Sequence, residues 1–293
     1  MPSLKMPSLK EMLAEATPVT ATLVSNPLMA RLAERAGFRV LYLGGGMLGY
    51  SKVVLEANLN VTELVQAGND IRAISSLPLI LDGATGFGDP MHMHRTIPMV
   101  EAAGFAAIEI EDQLIPKRAH HHVGVEHMIP LELMAAKVQE AVAARRSEEF
   151  LIIARTNGIR ASDFDDAIER AAAYKRAGAD LLMLSPRNAG EVRAIAERLE
   201  PPFMLLVTVG GTEALGVSTE ELGRLGFRLL VDAAKPMLVA FRAWKELYES
   251  TADDLTSPML TREDARQLSA ELNEAVGIER LLEIERATVE RGE

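Results

Sequence analysis

The sequence predicts an α/β fold, a (β/α)8 barrel of the TIM type, with an additional helical region at its C-terminal end. Three observations predict it. Eight short apolar runs recur along the chain, each near-continuously hydrophobic, as strands buried on both faces of a parallel sheet must be. Amphipathic stretches of helical period separate them. Eight such units fit within about 250 residues, the size of one such barrel. A doubly wound open sheet is the alternative that this length also permits.

The expected strands are Val19–Ser25, Val40–Gly44, Leu79–Ala84, Ala106–Glu111, Phe150–Thr156, Asp180–Ser185, Phe203–Thr208 and Arg228–Asp232. Between them the helical patterns are Pro27–Ala36, Thr62–Ser76, Met91–Ala103, Pro130–Arg145, Asp163–Ala177 and Ala189–Leu199. Gly37, Gly104 and Gly178 follow three of these, where a helix C-terminus favours a residue without Cβ. A polar helical region, Arg262–Arg291, follows the eighth unit and reads as a subunit-contact element. The expected division is a barrel over residues 1–250 and a helical extension over 251–293, with Thr251–Pro258 as a hinge-like loop. The start MPSLKMPSLK repeats five residues and is left out of the fold assignment.

The chain has 293 residues, with 31 Lys and Arg against 42 Asp and Glu, a net charge of −11. That balance argues against nucleic-acid and anionic-membrane partners, which need a basic face. No Cys is present, so disulfides, thiolate zinc sites and a Cys nucleophile are excluded. No apolar run approaches the ~20 residues of a membrane span. The N-terminus lacks a signal-peptide core, so the expected location is the cytoplasm.

In such a barrel the chemistry sits at the C-terminal ends of the strands. The second run ends Gly44-Gly45-Gly46-Met47-Leu48-Gly49, a match to G-x-G-x-x-G. A dinucleotide site would need a helix to open there, and a long loop is expected instead. The glycines then bring backbone N–H groups close to a small anion, or form a merely tight turn. The third run ends at Asp82 and the fourth at Glu109-Ile110-Glu111, with both glutamates on one side. Asp82 and Glu111 can share a hard cation such as Mg²⁺, directly or through water, or can be capped or salt-bridged carboxylates. The fifth run ends at Arg155, which can grip a carboxylate or phosphate, or neutralise Glu109 and Glu111.

All six His lie between His92 and His127, with His120, His121 and His122 consecutive. Their spacing does not match a zinc pattern. A cationic loop closing over an anionic substrate, with one His as acid or base, is the functional reading. An ordinary exposed basic loop is the bland one.

Several segments together resemble the isocitrate lyase/phosphoenolpyruvate mutase superfamily. They are Leu41-Tyr42-Leu43-Gly44-Gly45-Gly46, Leu77-Pro78-Leu79-Ile80-Leu81-Asp82 with Gly86-Phe87-Gly88, Ile110-Glu111-Asp112-Gln113 with Lys117-Arg118, and Ile153-Ala154-Arg155-Thr156-Asn157. The resemblance spans roughly residues 10–250. It implies an (α/β)8 barrel, usually a homotetramer that exchanges its last barrel helix, Mg²⁺, and a small oxo- or hydroxy-carboxylate. It implies chemistry next to a carboxylate through an enolate-like intermediate. By resemblance Asp82 is the principal metal residue and Glu111 holds metal-bound water. Arg155, Tyr42, Gly45, Gly46 and Asp82 face the substrate, and Lys117 opens the mobile catalytic loop.

The departures matter. A second metal-site Asp is replaced by Ala84, and an acid after the second strand by Asn58, which should weaken Mg²⁺. The catalytic Cys of the lyase branch is Ala119, in the run Lys117-Arg118-Ala119-His120-His121. Family acids and amides on the sixth and seventh strands fall on Ser185 or Pro186 and on Leu206, and a decarboxylase His falls on Ala234. These changes argue against a standard isocitrate or methylisocitrate lyase and against phosphonate chemistry.

The expected function is an enzyme that cleaves a C–C bond of a small 2-oxo- or 2-hydroxy-carboxylic acid through a Mg-stabilised enolate, with decarboxylation and acyl hydrolysis open. Lys117, His120, His121 and Arg155 are its candidate catalytic residues. A non-catalytic ligand-binding barrel and a metal-independent enzyme working through the His120–His122 loop are the alternatives.

Overall fold

The computed structural model describes residues 7–290. The first copy of the N-terminal repeat, and Arg291 at the end of the expected terminal region, lie outside the described residues. Eight strands form in the eight expected runs: β1 (Val19–Val24), β2 (Val40–Leu43), β3 (Leu79–Asp82), β4 (Ala107–Glu111), β5 (Leu151–Arg155), β6 (Leu181–Met183), β7 (Phe203–Leu206) and β8 (Phe227–Asp232). They pair in parallel in chain order, and β8 returns to β1 to close the barrel.

Alternation along each strand divides the buried residues between two environments. Leu41, Leu43, Leu79, Leu81, Ile108, Ile110, Ile152, Ala154, Leu182, Phe203 and Leu205 pack in one core with the surrounding helices. Their neighbours Tyr42, Ile80, Ala107, Ile153, Met183, Met204 and Leu229 are equally buried but stand on the opposite face, inside the barrel.

The helices start where polar caps precede apolar periodicity. Asn26, Asn60, Asp163 and Asn188 each accept a backbone N–H of the following first turn. Two expectations need correction. The glycine run does not open a long loop: a short helix, Gly45–Ser51, begins at once after β2. The terminal helical region is two helices, Arg262–Val276 and Ile278–Thr288. They break at Gly277, whose φ of +75° is costly for any residue with a Cβ.

The chain divides into two compact units, one up to Pro236 and one from Met237. The first contains the barrel. The second holds most of the helix Lys235–Thr251 and the two terminal helices. Among the described residues, no helix is long and apolar enough to cross a membrane.

The strand register builds the site. Asp82 stands opposite Glu109, Glu111 opposite Arg155, and Arg155 opposite Met183. Thus three adjacent strands deliver carboxylate, carboxylate and guanidinium to one end of the barrel.

Helix packing around the barrel is tight enough to test. Gly68, buried in the helix Val61–Arg72, would put a Cβ 2.2 Å from Cζ of Phe105. Alanine gains about 1 kcal/mol of helix propensity, but overpacking costs about 1–3 kcal/mol. Gly68→Ala should therefore lower the urea midpoint of unfolding; a higher midpoint would show that Phe105 yields freely.

Candidate active site

The end of β4 carries the densest charge. Glu109 Oε1 accepts from Arg155 Nη1 at 3.0 Å, and Glu109 Oε2 accepts from the Tyr42 hydroxyl at 3.0 Å. Glu111 Oε2 accepts from Asn157 Nδ2 at 3.0 Å and lies 3.3 Å from Arg155 Nε. Glu111 Oε1 accepts from Lys117 Nζ at 2.5 Å. Both glutamates are 1 % exposed, so none of these charges is relieved by water.

Their surroundings pull the two carboxyls apart. Burial pushes Glu109 up to about 7, and Arg155 opposes this while Asp82 adds to it. Burial also works against ionised Glu111, but Arg155 and Lys117 outweigh it and hold the group down at about 2. Neighbouring carboxyls of opposite tendency are a common arrangement for proton exchange. Tyr42 is pushed well above its ordinary value by burial and by Asp82 and Glu109, so it remains a hydrogen-bond donor. Lys117 stays protonated because Glu111 and Glu56 overcome its burial.

Asp82 sits at the first turn after β3. Its Oδ1 accepts from the Ala84 N–H at 3.1 Å. Gly83 lets this turn pass against β4: its N–H donates to Glu109 O at 2.8 Å, and a Cβ there would lie 2.7 Å from the same oxygen. Glu111 N–H returns a bond to Ala84 O at 2.8 Å. From outside, the buried Lys137 donates to Thr85 O at 2.9 Å, its own value pushed down to about 8 by burial.

One buried carboxylate was not anticipated. Glu56, in the turn Glu56–Asn58 after the glycine helix, reaches Lys117 Nζ at 2.9 Å. Burial, with Asp82 beside it, pushes it up to about 8. It also lies against Gly45, where a Cβ would meet its Cγ at 2.5 Å. Asn58 itself is exposed and caps the turn by accepting from Leu55 N–H. The loop has thus lost an acid at Asn58 but carries another inward at Glu56. No sequence pattern marked Glu56. Lys137 did leave a signal, since it falls on the apolar stripe of Met134, Val138 and Ala141.

The His residues separate clearly. His120 is exposed, its ring 5.4 Å from that of His127. His122 contacts Tyr50. His121 is partly buried and pairs with Glu126 at 2.8 Å, near enough to Glu111 to favour its ionised form when the ring is protonated. The structure therefore gathers Tyr42, Asp82, Glu111, Lys117, His121 and Arg155, with Gly45 beside Glu56, and leaves His120 outside.

The fit to Mg²⁺ can be judged from charge. Among the described residues no three His, Asp or Glu form a ready ligand cluster. Yet four carboxylates, Glu56, Asp82, Glu109 and Glu111, face two cations, Lys117 and Arg155. Fully ionised, they lack two positive charges, and Asp82 makes no ion-pair contact with a described residue. Mg²⁺ needs only one or two protein carboxylates and completes its shell with water and substrate. The residues fit such an ion.

The phosphoenolpyruvate phosphomutase family model matches residues 9–252. The chain belongs to the isocitrate lyase/phosphoenolpyruvate mutase superfamily. It is 32% identical over 283 residues to 2,3-dimethylmalate lyase of Eubacterium barkeri, covering 94% of this chain and 96% of the relative. It is 33% identical over 261 residues to 2-methylisocitrate lyase of Aeropyrum pernix, covering 87% and 83%. A crystal structure of phosphonopyruvate hydrolase in complex with oxalate and Mg²⁺ superposes with a TM-score of 0.80 at 26% identity, covering 96% of this chain and 98% of that one. The superfamily membership accounts for the barrel.

Glu56 gives the site a pH signature in metal-free buffer. Its folded value of about 8 lies above its ordinary 4.5, so its protonation favours the fold at low pH. That contribution is complete below about 4.5 and is lost as pH rises through about 8. Glu56→Gln should therefore flatten the fall in thermal midpoint between pH 5 and pH 9; parallel curves for variant and wild type would refute the assignment. Arg155→Met should cost about 3–5 kcal/mol in urea unfolding, because it strands buried Glu109 without a counter-charge and leaves Glu111 to Lys117 alone.

Proposed function

We propose that this chain is a cytoplasmic, magnesium-assisted carbon–carbon lyase for a small 2-hydroxy- or 2-oxo-carboxylic acid. The observation that carries the reading is the meeting of Glu56, Asp82, Glu109, Glu111, Lys117 and Arg155 at one barrel mouth, where the four carboxylates, when ionised, leave two negative charges uncompensated. Asp82 would hold the ion, and Glu111 would hold water bound to it. When bound, Mg²⁺ supplies Lewis-acid charge opposite the negative charge that grows on substrate oxygens.

The protein's own groups have separable tasks. Arg155 Nε, buried 3.3 Å from Glu111 Oε2 without a formed hydrogen bond, keeps the guanidinium at the mouth, where it would meet a substrate carboxylate. The Gly45 and Gly46 amides open a helix beside Glu56 and add backbone donors. Tyr42 donates from inside the barrel. Lys117 is held protonated, so it opposes negative charge and does not remove a proton. Cleavage next to a carbinol carbon sends the bonding pair to the departing carbon. The hydroxyl gives its proton to a carboxylate of the cluster as the carbonyl forms, and the departing carbon takes one proton. His121 is placed to deliver that proton where Ala119 replaces the lyase Cys, and His120 is not.

The same reading includes a homotetramer. Leu238, Phe241, Trp244 and Tyr248 of the helix Lys235–Thr251 are exposed, as are Leu268, Leu272, Leu281 and Ile284 of the terminal helices. Apolar surface of this extent calls for a covering partner. Light scattering should give four times the chain mass, and a monomer would exclude this assembly.

Calorimetry with oxalate, a planar enolate mimic, tests the site. Binding is expected with Mg²⁺, and not in EDTA or in Asp82→Ala. Absence of binding in every condition would remove the metal assignment and favour a non-catalytic barrel. Hydroxy- and oxo-diacids are then screened for cleavage. On any substrate found, Arg155→Ala should lower kcat/KM by about 10²–10³, and wild-type turnover would exclude Arg155 as the clamp.

A further inference from the structure

Resting on the role just proposed for His121, we infer that Glu126 is its positioning residue, fixing the imidazole so that Nε2 is the nitrogen that exchanges a proton. The Glu126 side chain is fully enclosed, although its segment, Val123 to His127, is otherwise exposed. Its Oε2 lies 2.8 Å from His121 Nδ1 and also accepts from Gln113 Nε2. Its Oε1 lies 3.1 Å from Arg160, in the short helix after β5. The carboxylate is thereby held from β5 and from the end of β4, while it holds a residue of the loop between them.

This arrangement selects a tautomer. Glu126 is ionised: burial opposes this, but the bond from His121 and the charge of Arg160 prevail and lower its pKa. A carboxylate oxygen at 2.8 Å from Nδ1 needs a hydrogen between them, since two lone pairs would repel. Gln113 Nε2 donates to the same oxygen and also lies 2.6 Å from Nδ1, so Glu126 and Gln113 compete for that nitrogen, and the charged carboxylate, the stronger partner, favours a hydrogen on Nδ1. The neutral ring therefore carries its hydrogen on Nδ1 and leaves Nε2 free to gain a proton and return it. A carboxylate behind an imidazole also stabilises the imidazolium. The charged and titratable groups around the ring are Glu126, Glu111, Lys117, Arg160 and His122, whose ring centroid is 5.5 Å away.

The enclosure of Glu126 makes little sense for an exposed basic loop. A surface His–Glu pair contributes little to stability, and burying a carboxylate in a loop is costly unless it is paired. Here the cost is offset by two partners at Oε2, His121 and Gln113, and by the charge of Arg160 beside Oε1.

The test begins with two-bond ¹H–¹⁵N spectra of the full-length ¹⁵N-labelled protein, with His121 assigned by His121→Asn. Wild type should show the Nδ1–H tautomer at pH 8 and protonation at Nε2 on acidification. Glu126→Gln should move the ring's titration midpoint down by about one pH unit and release the tautomer preference. An Nε2–H tautomer in wild type, or an unchanged titration in a folded Glu126→Gln variant, overturns the inference. Should that variant fail to fold, Arg160→Met, which removes a cation and leaves the Glu126 charge wholly to the ring, should raise the midpoint, and an unchanged midpoint overturns the inference. On a substrate found by the screen, Glu126→Gln should lower kcat more than it changes KM and shift the pH–rate profile, with partial rescue by Glu126→Asp. If no substrate is turned over, the lyase reading fails, while the tautomer still decides the role of Glu126.

Discussion

Glu111 and Arg155 face each other across two neighbouring parallel strands, and the site depends on that pairing. A buried guanidinium and a buried carboxylate are each very costly alone. Placed in register they stabilise one another, and Arg155 then has reach enough to hold Glu109 as well. Moving β5 by one residue would turn Arg155 to the helix layer, leave Glu109 without a counter-charge and leave Glu111 to Lys117 alone. The register of the barrel is therefore fixed by charge at this mouth as well as by apolar packing elsewhere.

A second buried carboxylate fastens the same corner. Asp112 follows Glu111 and points the other way. It accepts from the Thr156 hydroxyl at 2.7 Å, the Asn157 N–H at 3.0 Å and the Tyr174 hydroxyl at 2.9 Å. Those bonds join the end of β4 to the loop after β5 and to the helix Phe164–Arg176. Asn157 is then placed to donate to Glu111. Successive acids thus do opposite things: Glu111 serves the mouth and Asp112 anchors the scaffold under it. With Lys137 behind the β3 turn and Tyr174 behind the end of β4, both are held from the helix layer as well as from within.

The sequence made the strands legible because strands buried on both faces leave continuous apolar runs. It made Asp82, Glu111 and Arg155 legible because a charge at the end of such a run needs a reason. The glycine helix after β2 was illegible, since glycine is a poor helix former and tertiary packing against Glu56 and Leu55 overrides its preference. Glu56 was illegible for a different reason. It stands in a loop without periodicity, and only the fold shows that it turns inward while Asn58 turns outward. Three consecutive His are equivalent on paper, and the enclosed Glu126 is what distinguishes His121 from His120. The break at Gly277 could have been read from the glycine, but the polar periodicity on both sides masked it.

Charge also constrains what the mouth can receive. The resemblance implies two acids lost at Ala84 and Asn58 and so a poorer cation site, yet Glu56 and Glu109 keep the cluster short of positive charge. A carboxylate substrate meeting that cluster would add to an uncompensated negative charge in a site closed to water, where Coulomb terms are large. Protonation of Glu56 and Glu109 relieves part of the imbalance near neutral pH, as their raised values of about 8 and about 7 imply. A divalent cation beside Asp82, as proposed, would relieve it more fully and favour the ionised form of both groups. Cation, carboxylate substrate and the protonation of these two glutamates are therefore coupled through one electrostatic balance. A change at any of them, even at Glu56 on a loop remote in sequence, must be felt by the others.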